Sequence, residues 1–326
     1  MGFNLTFVGS FPLKKTRENI VRCTEDVLSI PVDYPNYAQL EDMGYQFLQP
    51  LVDAGLGLAR ERDGYRLTGE LQKPPQPIAN EALDILLELS RSSRFKGKAR
   101  GVKACVTGPF TLASRILLDE PKLGLFGETA LTNPEVVERL SEIVAETAVG
   151  YRKKGVDYIT LDEPILSVIV GRKLLLNEHT EAGIVETVNR AFSGVDCLKG
   201  IHVCGSISRK LAEILLETHV DVLDHEFKDS ERNFDTYRRE DFERHNKKLG
   251  LAASSSRVLR IEPVEEMVSM LKRGIEVFGE ENILMVKPDC GFRGLDPEGH
   301  PHGIAYSAAI GKLRNLRSAV DSIQAR

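Results

Sequence analysis

The hydrophobic positions of the chain form short, nearly continuous apolar runs, which alternate with longer segments where apolar residues recur every three or four positions. Short apolar runs are typical of buried strands, and the longer pattern is typical of amphipathic helices. The clearest helix is predicted over 134–154, where acidic residues come early and basic residues late, as the helix dipole favours. The runs that we predict as strands are 4–8, 56–59, 102–107, 158–161, the run from Cys197 to His202, 220–223, 249–252 and 283–286.

Eight predicted strands, most of them separated by a predicted helix, indicate an α/β architecture with a parallel sheet. Eight such units in 326 residues fit a (β/α)8 TIM barrel that occupies residues 1–326 as a single domain. The second strand has the least regular pattern, and it follows a predicted helix over 37–53. A doubly wound open sheet is the alternative, but no glycine-rich dinucleotide fingerprint follows the first strand.

Composition and charge narrow the class of protein. The chain is 42% hydrophobic and 28% charged with a net charge of −5, which is ordinary for a globular protein and argues against a nucleic-acid partner. No apolar run approaches the roughly 20 residues that span a bilayer, and the first residues lack the pattern of a secretory signal. We therefore expect a cytoplasmic protein without a membrane partner, whose five cysteines are reduced and include metal ligands.

The polar residues that follow the predicted strands carry the candidate chemistry. His202 and Cys204 are two residues apart, so at a strand end their side chains point the same way, about 6.5 Å apart along it. Imidazole and thiolate are typical zinc ligands, and a further thiol, Cys290, follows the last predicted strand. These residues predict one zinc ion per chain. Neighbouring strand residues point to opposite faces, so either His225 or Glu226 can supply another ligand.

Further candidates follow other strands, because active sites of such barrels lie at the C-terminal strand ends. Ser10 follows the first strand and Thr107 ends the third. Asp162 and Glu163 follow the fourth, where one carboxylate can hold a substrate ammonium and the other can cap a helix. If the strands close into a ring, these residues and the zinc ligands converge on one site.

The remaining cysteines and two late histidines have structural interpretations. Cys23, in a predicted helix, and Cys105, in a predicted strand, are expected in the core, since free cysteine buries readily. Cys197 begins its strand and is expected at the far end of the barrel. His300 and His302 are predicted to form a surface turn.

Five short motifs together resemble the C-terminal catalytic barrel of cobalamin-independent methionine synthase. They occur in the family's order over essentially the whole chain: VGSFP at 8–12, TGP at 107–109, LDEP at 161–164, HVC at 202–204 and PDCG at 288–291. The resemblance implies a zinc site made by His202, Cys204, Glu226 and Cys290. It is therefore the resemblance that favours Glu226 over His225.

The same resemblance implies that homocysteine is the methyl acceptor. Its carboxylate is expected at Gly9 and Ser10, and its amino group at Asp162. Thr107 belongs to the turn after the third strand and is counted with the substrate-binding residues. Asp162 and Glu226 are the residues to which we assign catalytic roles.

The chain departs from the family pattern at two points. It contains no counterpart of the additional N-terminal barrel of the full-length enzymes. A family glutamate in the second βα segment, which also binds the substrate amine, has only Glu70 as a candidate here. Residues 33–40 instead resemble methylcobalamin-dependent methyltransferases and uroporphyrinogen decarboxylase-like barrels.

These observations predict a zinc-dependent methyltransferase that makes methionine from homocysteine. Zinc would supply a thiolate at neutral pH, because a free thiol has a pKa of about 8.5. The expected donor is methylcobalamin or a methylated corrinoid protein, as the resemblance to short single-barrel relatives implies. Two alternatives remain: a methyltransferase that acts on another thiol such as coenzyme M, and a non-catalytic zinc- or corrinoid-binding barrel.

Overall fold

A computed structural model describes residues 2–62, 64–120, 122–295 and 302–325. Within these residues the chain forms ten strands. They are β1 (Asn4–Leu5), β2 (Leu58–Arg60), β3 (Tyr65–Leu67), β4 (Lys103–Thr107), β5 (Ile116–Leu117), β6 (Tyr158–Asp162), β7 (Leu198–Val203), β8 (Val222–His225), β9 (Lys248–Ser254) and β10 (Ile283–Pro288).

Seven of the strands form one parallel sheet in the order β1, β10, β9, β8, β7, β6, β4. The place between β1 and β4 is filled by residues 34–39, which make isolated bridges to both neighbours. The Tyr34 N–H donates to Leu5 O at 3.0 Å, and the Lys103 N–H donates to Pro35 O at 2.9 Å. The sheet therefore closes on itself, and the predicted (β/α)8 barrel is confirmed.

The prediction for the second barrel strand was wrong. Leu58–Arg60 pairs antiparallel with β3, and β3 pairs with β5, so this run belongs to a separate three-stranded sheet. The barrel place is taken by residues 34–39, which contain Pro35 and polar residues and no continuous apolar run. The predicted helix over 37–53 also begins later, at Met43, because the Asp42 carboxylate caps it by accepting from two N–H groups.

Helices connect most of the strands, and their ends follow the capping chemistry of the sequence. The long helix begins after Asn133, whose side chain accepts from N–H groups of the first turn, and it ends at Gly155 with a φ of +105°. The helices are α1 (Arg17–Ser29), α2 (Met43–Asp53), α3 (Glu81–Arg91), α4 (Pro109–Ala113), α5 (Pro134–Lys154), α6 (Pro164–Ile169), α7 (Glu181–Ala191), α8 (Arg209–Leu216), α9 (Arg239–His245), α10 (Val264–Phe278) and α11 (His302–Gln324). In the described chain, no helix combines the length and the apolar character that crossing a bilayer requires.

The strand register sets a polar layer at the C-terminal end of the barrel. Thr107, Asp162, His202 and Asp224 are aligned across β4, β6, β7 and β8, and all four are buried. Residues aligned on neighbouring parallel strands point to the same face, so the layer gathers carboxylate and imidazole groups. Such a layer of buried ionisable groups requires partners, which the next section describes.

Candidate metal centre

Three ligand groups that are far apart in the sequence meet at the mouth of the barrel. His202 Nε2 lies 3.1 Å from Cys204 Sγ, and Cys204 Sγ lies 3.1 Å from Cys290 Sγ. The three ligand atoms all fall within 4.8 Å of one another. β7 carries the first two residues to the mouth and β10 carries the third, although β8 and β9 stand between them in the sheet. Closure of the barrel is therefore what brings the ligands together.

The donor set fits zinc. One imidazole nitrogen and two thiolates are usual zinc ligands, and a nearby carboxylate can complete a tetrahedron. The pKa of Cys290 is held well below its ordinary value, despite burial, because it shares a hydrogen bond with Cys204 and the His202 imidazole lies beside it. This direction favours the thiolate form, which is the form that binds metal.

The other ring nitrogen of His202, Nδ1, is bound by a buried carboxylate. His202 Nδ1 lies 2.6 Å from Asp224 Oδ1, and Lys287 Nζ donates to the same oxygen at 2.7 Å. Burial alone would raise the pKa of the Asp224 carboxyl, but the Lys287 ammonium and His202 hold it below its ordinary value. An ionised Asp224 accepts the Nδ1–H, so Nε2 is the ring nitrogen that faces the two sulfurs.

We expect Asp224→Asn to weaken zinc binding by about 10–100-fold, the usual cost of losing the carboxylate behind a ligating histidine. The amide keeps the size of the side chain but removes its charge. A competition titration with a chromogenic chelator measures the affinity. Asp221→Asn is the matched control, because Asp221 precedes the same strand and accepts from the Lys199 N–H instead. Equal zinc affinities for the two variants would contradict this role.

Glu226 and His225 are both buried, and the structure separates their environments. His225 Nε2 lies 2.9 Å from Tyr237 Oη, and its Nδ1 faces Val203 O at 3.3 Å, away from the sulfur cluster. The hydrogen bond with Cys290 and burial raise the pKa of Cys204, and the charge of the Glu226 carboxylate adds to this shift. Glu226 lies outside the three-ligand group, and its Oε2 accepts hydrogen bonds from the side chains of Ser230 at 3.1 Å and Arg257 at 2.8 Å.

Sequence reasoning missed a carboxylate, that of Asp289, which links the loop after β8 to the end of β10. Asp289 Oδ1 accepts from the Phe227 N–H at 2.7 Å and from the Lys228 N–H at 2.9 Å. These backbone groups follow Glu226 directly, and Asp289 directly precedes Cys290. The loop after β8 and the end of β10 are therefore held in one position. The signal was available, since this aspartate stands inside the PDCG motif.

Asp162 and Glu163 divide the two roles that the sequence left open. Glu163 Oε1 accepts from the Phe110 N–H, and its Oε2 accepts from Thr111, so Glu163 caps α4. Within the described chain, Asp162 Oδ1 is buried without a hydrogen-bond partner, and burial raises the pKa of this carboxyl to about 6. Because Asp162 is aligned with His202, its carboxylate is placed for a substrate group beside the sulfur cluster.

The predicted carboxylate-binding segment lies next to the third metal-ligand strand. A side chain at Gly291 would bring its Cβ within 2.0 Å of Ser10 Oγ, so Ser10 packs directly against the residue after Cys290. Gly9 has a φ of +134°, and a Cβ there would meet Asn36 Nδ2 at 2.8 Å, so only glycine fits this position without strain. Ser10 therefore lies beside the segment that carries Cys290, and Gly9 precedes it.

Two other predicted residues do not reach the cluster. Thr107 Oγ1 donates to Met43 O at 2.9 Å and so anchors α2. The Glu70 side chain is 83% exposed and faces Arg139 at 3.8 Å, so it is not placed to bind a substrate amine at the mouth. Gln39 is nearer, since it is buried and bridges Ser10. Sequence reasoning missed Gln39 because its segment was predicted as a helix.

The predictions for Cys23, Cys105 and Cys197 are confirmed, whereas the predicted turn at His302 is wrong. Cys23 and Cys105 are fully buried in the core, and Cys197 precedes β7 at the end remote from the mouth. The predicted turn with His300 falls on residues 296–301, which lie outside the described residues. His302 is the first residue of α11.

Comparisons with known proteins agree with this geometry. The family model of the cobalamin-independent synthase catalytic domain matches residues 91–310. A methionine synthase of Methanothermobacter thermautotrophicus is 33% identical over 67% of this chain and 62% of its own length. A methionine synthase of Methanocaldococcus jannaschii is 28% identical over 98% of this chain and 99% of its own length.

Solved structures show the same fold. A B12-independent methionine synthase from Shewanella superposes with a TM-score of 0.70 and 16% identity, over 100% of this chain and 98% of that one. A methyltransferase from Methanosarcina mazei gives a TM-score of 0.56 at 14% identity, over 97% and 94%. At these identities the likeness concerns the fold. The family match covers most of the chain, and on that basis the chain belongs to the family of cobalamin-independent methionine synthase catalytic domains.

Proposed function

We propose that this protein is a zinc-dependent methyltransferase that transfers a methyl group to the thiolate of homocysteine and so forms methionine. The observation that carries the proposal is the meeting of His202, Cys204 and Cys290 beside Asp162, whose buried Oδ1 has no hydrogen-bond partner among the described residues. A thiol-activating metal and an ammonium-binding group are the two things that methylation of an amino-acid thiol requires. The family names of the relatives support the same acceptor.

In this proposal each residue of the mouth has one task. His202, Cys204, Cys290 and Glu226 hold zinc, which when bound supplies a Lewis acid that keeps the substrate sulfur deprotonated near neutral pH. Asp162 binds the substrate ammonium through a charge-assisted hydrogen bond.

The neighbouring residues hold the ligands and the substrate in position. Asp224 holds His202 in the tautomer that directs Nε2 at the sulfurs. The backbone at Gly9 and Ser10 would bind the substrate carboxylate.

Glu226 is the ligand that we propose gives up its place to the substrate sulfur. Four protein ligands complete a tetrahedron, whereas a catalytic zinc site keeps one position for the substrate. Among the four, a carboxylate oxygen is the hardest donor, and zinc is borderline-soft, so replacing oxygen by thiolate sulfur is favoured. The existing contacts of Glu226 to Arg257 and Ser230 show that its carboxylate has partners away from the sulfurs.

We further propose methylcobalamin or a methylated corrinoid protein as the methyl donor. Methyl transfer requires the methyl carbon within roughly 3–3.5 Å of the sulfur, in line with the leaving group. A corrinoid is broad and flat, so it can cover the barrel mouth with its methyl group pointing inward, and it leaves as cob(I)alamin without needing a proton. The segment 33–40, which resembles corrinoid-dependent barrels, contains the second barrel position and reaches the mouth beside Ser10.

A product assay tests both halves of the proposal. Zinc-loaded protein and homocysteine are incubated anaerobically with methylcobalamin, a methylated corrinoid protein or methyltetrahydrofolate, and methionine is measured together with cob(I)alamin absorbance. We expect methionine with a corrinoid donor and little or none with methyltetrahydrofolate. Comparable turnover with methyltetrahydrofolate, and none with either corrinoid, would refute the donor while leaving the acceptor intact.

The acceptor is tested in the same assay. Coenzyme M carries a sulfonate and no ammonium, so a buried carboxylate at Asp162 disfavours it and favours homocysteine. Faster methylation of coenzyme M than of homocysteine would refute the proposed acceptor. Zinc binding without methyl transfer to any thiol would indicate a non-catalytic barrel.

A further inference from the structure

The buried carboxylate of Glu226 forms an ion pair with an exposed cation on another loop. Glu226 has a side-chain exposure of 2%, whereas Arg257, on the loop after β9, has one of 59%, and their charged atoms are 2.8 Å apart. A buried carboxylate requires a counter-charge, and a charge-assisted hydrogen bond supplies it. The Ser230 hydroxyl donates to the same oxygen, Oε2, at 3.1 Å.

Arg257 also faces a second carboxylate. Its Nε lies 3.9 Å from Asp229 Oδ2, and Asp229 is itself held in place by the Ser256 N–H at 3.0 Å. The guanidinium therefore faces two acidic groups, one buried and one partly buried. If Glu226 moves toward the sulfur cluster, Arg257 keeps a partner in Asp229.

The base of the Arg257 loop is fixed, so the side chain is the part that can move. Glu262 Oε1 accepts from the Ser255 N–H at 2.7 Å, and its Oε2 accepts from Lys312 at 2.7 Å. Lys312 and Glu262 are both fully buried or nearly so. This buried pair anchors the loop to α11, while the long, exposed Arg257 side chain projects from it.

We propose that Arg257 is a positioning residue that receives the Glu226 carboxylate when the substrate thiol takes the place of that carboxylate at the metal. The inference rests on the proposed zinc–thiol function. Arg257 should therefore affect the two affinities in opposite directions. It weakens zinc binding, because it competes for Glu226, and it strengthens homocysteine binding, because it stabilises the displaced carboxylate. A residue that merely supported the fold would change both affinities in the same direction.

Arg257→Gln tests these opposite effects. Zinc affinity is measured by chelator competition, and homocysteine affinity is measured by calorimetry on the zinc-loaded protein. We expect zinc to bind about three- to tenfold more tightly and homocysteine about three- to tenfold more weakly, the scale of a partly exposed charge-assisted contact. Zinc K-edge absorption adds a direct readout. Homocysteine should add one sulfur scatterer in the parent protein, and should do so only at higher concentration in the variant.

The same loop offers a matched control. Arg260 has an equal side-chain exposure of 59% but pairs with Glu266, which Lys228 also contacts. Arg260→Gln should leave both affinities unchanged, and Arg257→Lys should restore part of the parent behaviour, because it retains the charge.

Two results would overturn the inference. Unchanged or weaker zinc binding in Arg257→Gln, with homocysteine bound as in the parent, would show that Arg257 does not compete for Glu226. Zinc binding that is independent of Cys204 would instead refute the proposed function, and the inference with it. Measuring Cys204→Ser in the same titration distinguishes these two failures.

Discussion

Replacing either Cys204 or Cys290 by serine is expected to remove most of the zinc and nearly all methyl transfer. Each thiolate is one of three ligand groups that meet within 4.8 Å, and a serine hydroxyl is a poor substitute because it stays protonated and is a harder donor. Metal analysis of protein purified with excess zinc and then dialysed gives the zinc content per chain, and the product assay gives the activity.

Cys197→Ser is the matched control for this experiment. It is the same chemical change, made just before the strand that carries His202, but at the end remote from the mouth. The control should retain zinc and activity, and all three variants should stay folded, because the barrel has a large apolar core that is separate from the ligands. Full zinc occupancy in both Cys204→Ser and Cys290→Ser would show that the metal site has been assigned wrongly.

The second large effect is expected at Asp162. Asp162→Asn should retain zinc but bind homocysteine roughly 10–100-fold more weakly, because a charge-assisted hydrogen bond to an ammonium is replaced by a neutral one. Michaelis constants from the product assay, together with the zinc content, report the two properties separately.

The substrate itself provides the control for Asp162. 4-Mercaptobutanoate is homocysteine without its amino group, so its reaction should be nearly insensitive to Asp162→Asn. Equal losses for the two thiols would mean that Asp162 acts through the structure of the strand end and not through the ammonium. The neighbouring Glu163 carboxylate is not available to bind the ammonium in place of Asp162, because it caps α4.

Hydrophobic periodicity predicted seven of the eight barrel positions, because those strands are apolar runs buried on both faces. The remaining position, the second, is formed by residues 34–39 and could not be recognised in this way. Its backbone is held by isolated bridges, and side chains replace part of the usual ladder, as where Asp33 Oδ2 accepts from the Leu5 N–H. The apolar run at 56–59 was a more regular candidate, but it serves the outer three-stranded sheet.

The cluster of His202, Cys204 and Cys290 could be predicted because its chemistry is visible in residue type and spacing. The groups that contact His202 and Glu226 could not be predicted, since Asp224 and Arg257 reach them through register and loop contacts between distant segments. One signal was nevertheless present. Charged residues are costly to bury, so their presence inside otherwise apolar strands indicates an organised polar interior. The strands of this barrel contain three of them: Lys103, Asp224 and Lys287. Sequence reasoning did not use that signal.

The irregular second position, residues 34–39, also has a consequence for the dynamics of the barrel. Local opening of a fold occurs where few backbone hydrogen bonds must break, and the seam on either side of residues 34–39 is such a place. The seam runs beside Gly9, whose carbonyl accepts from the Gln39 N–H at 3.0 Å. Amide hydrogen exchange should therefore be faster along this seam than between β7 and β8. A substrate whose carboxylate binds at the end of β1 would slow that exchange by joining the two edges.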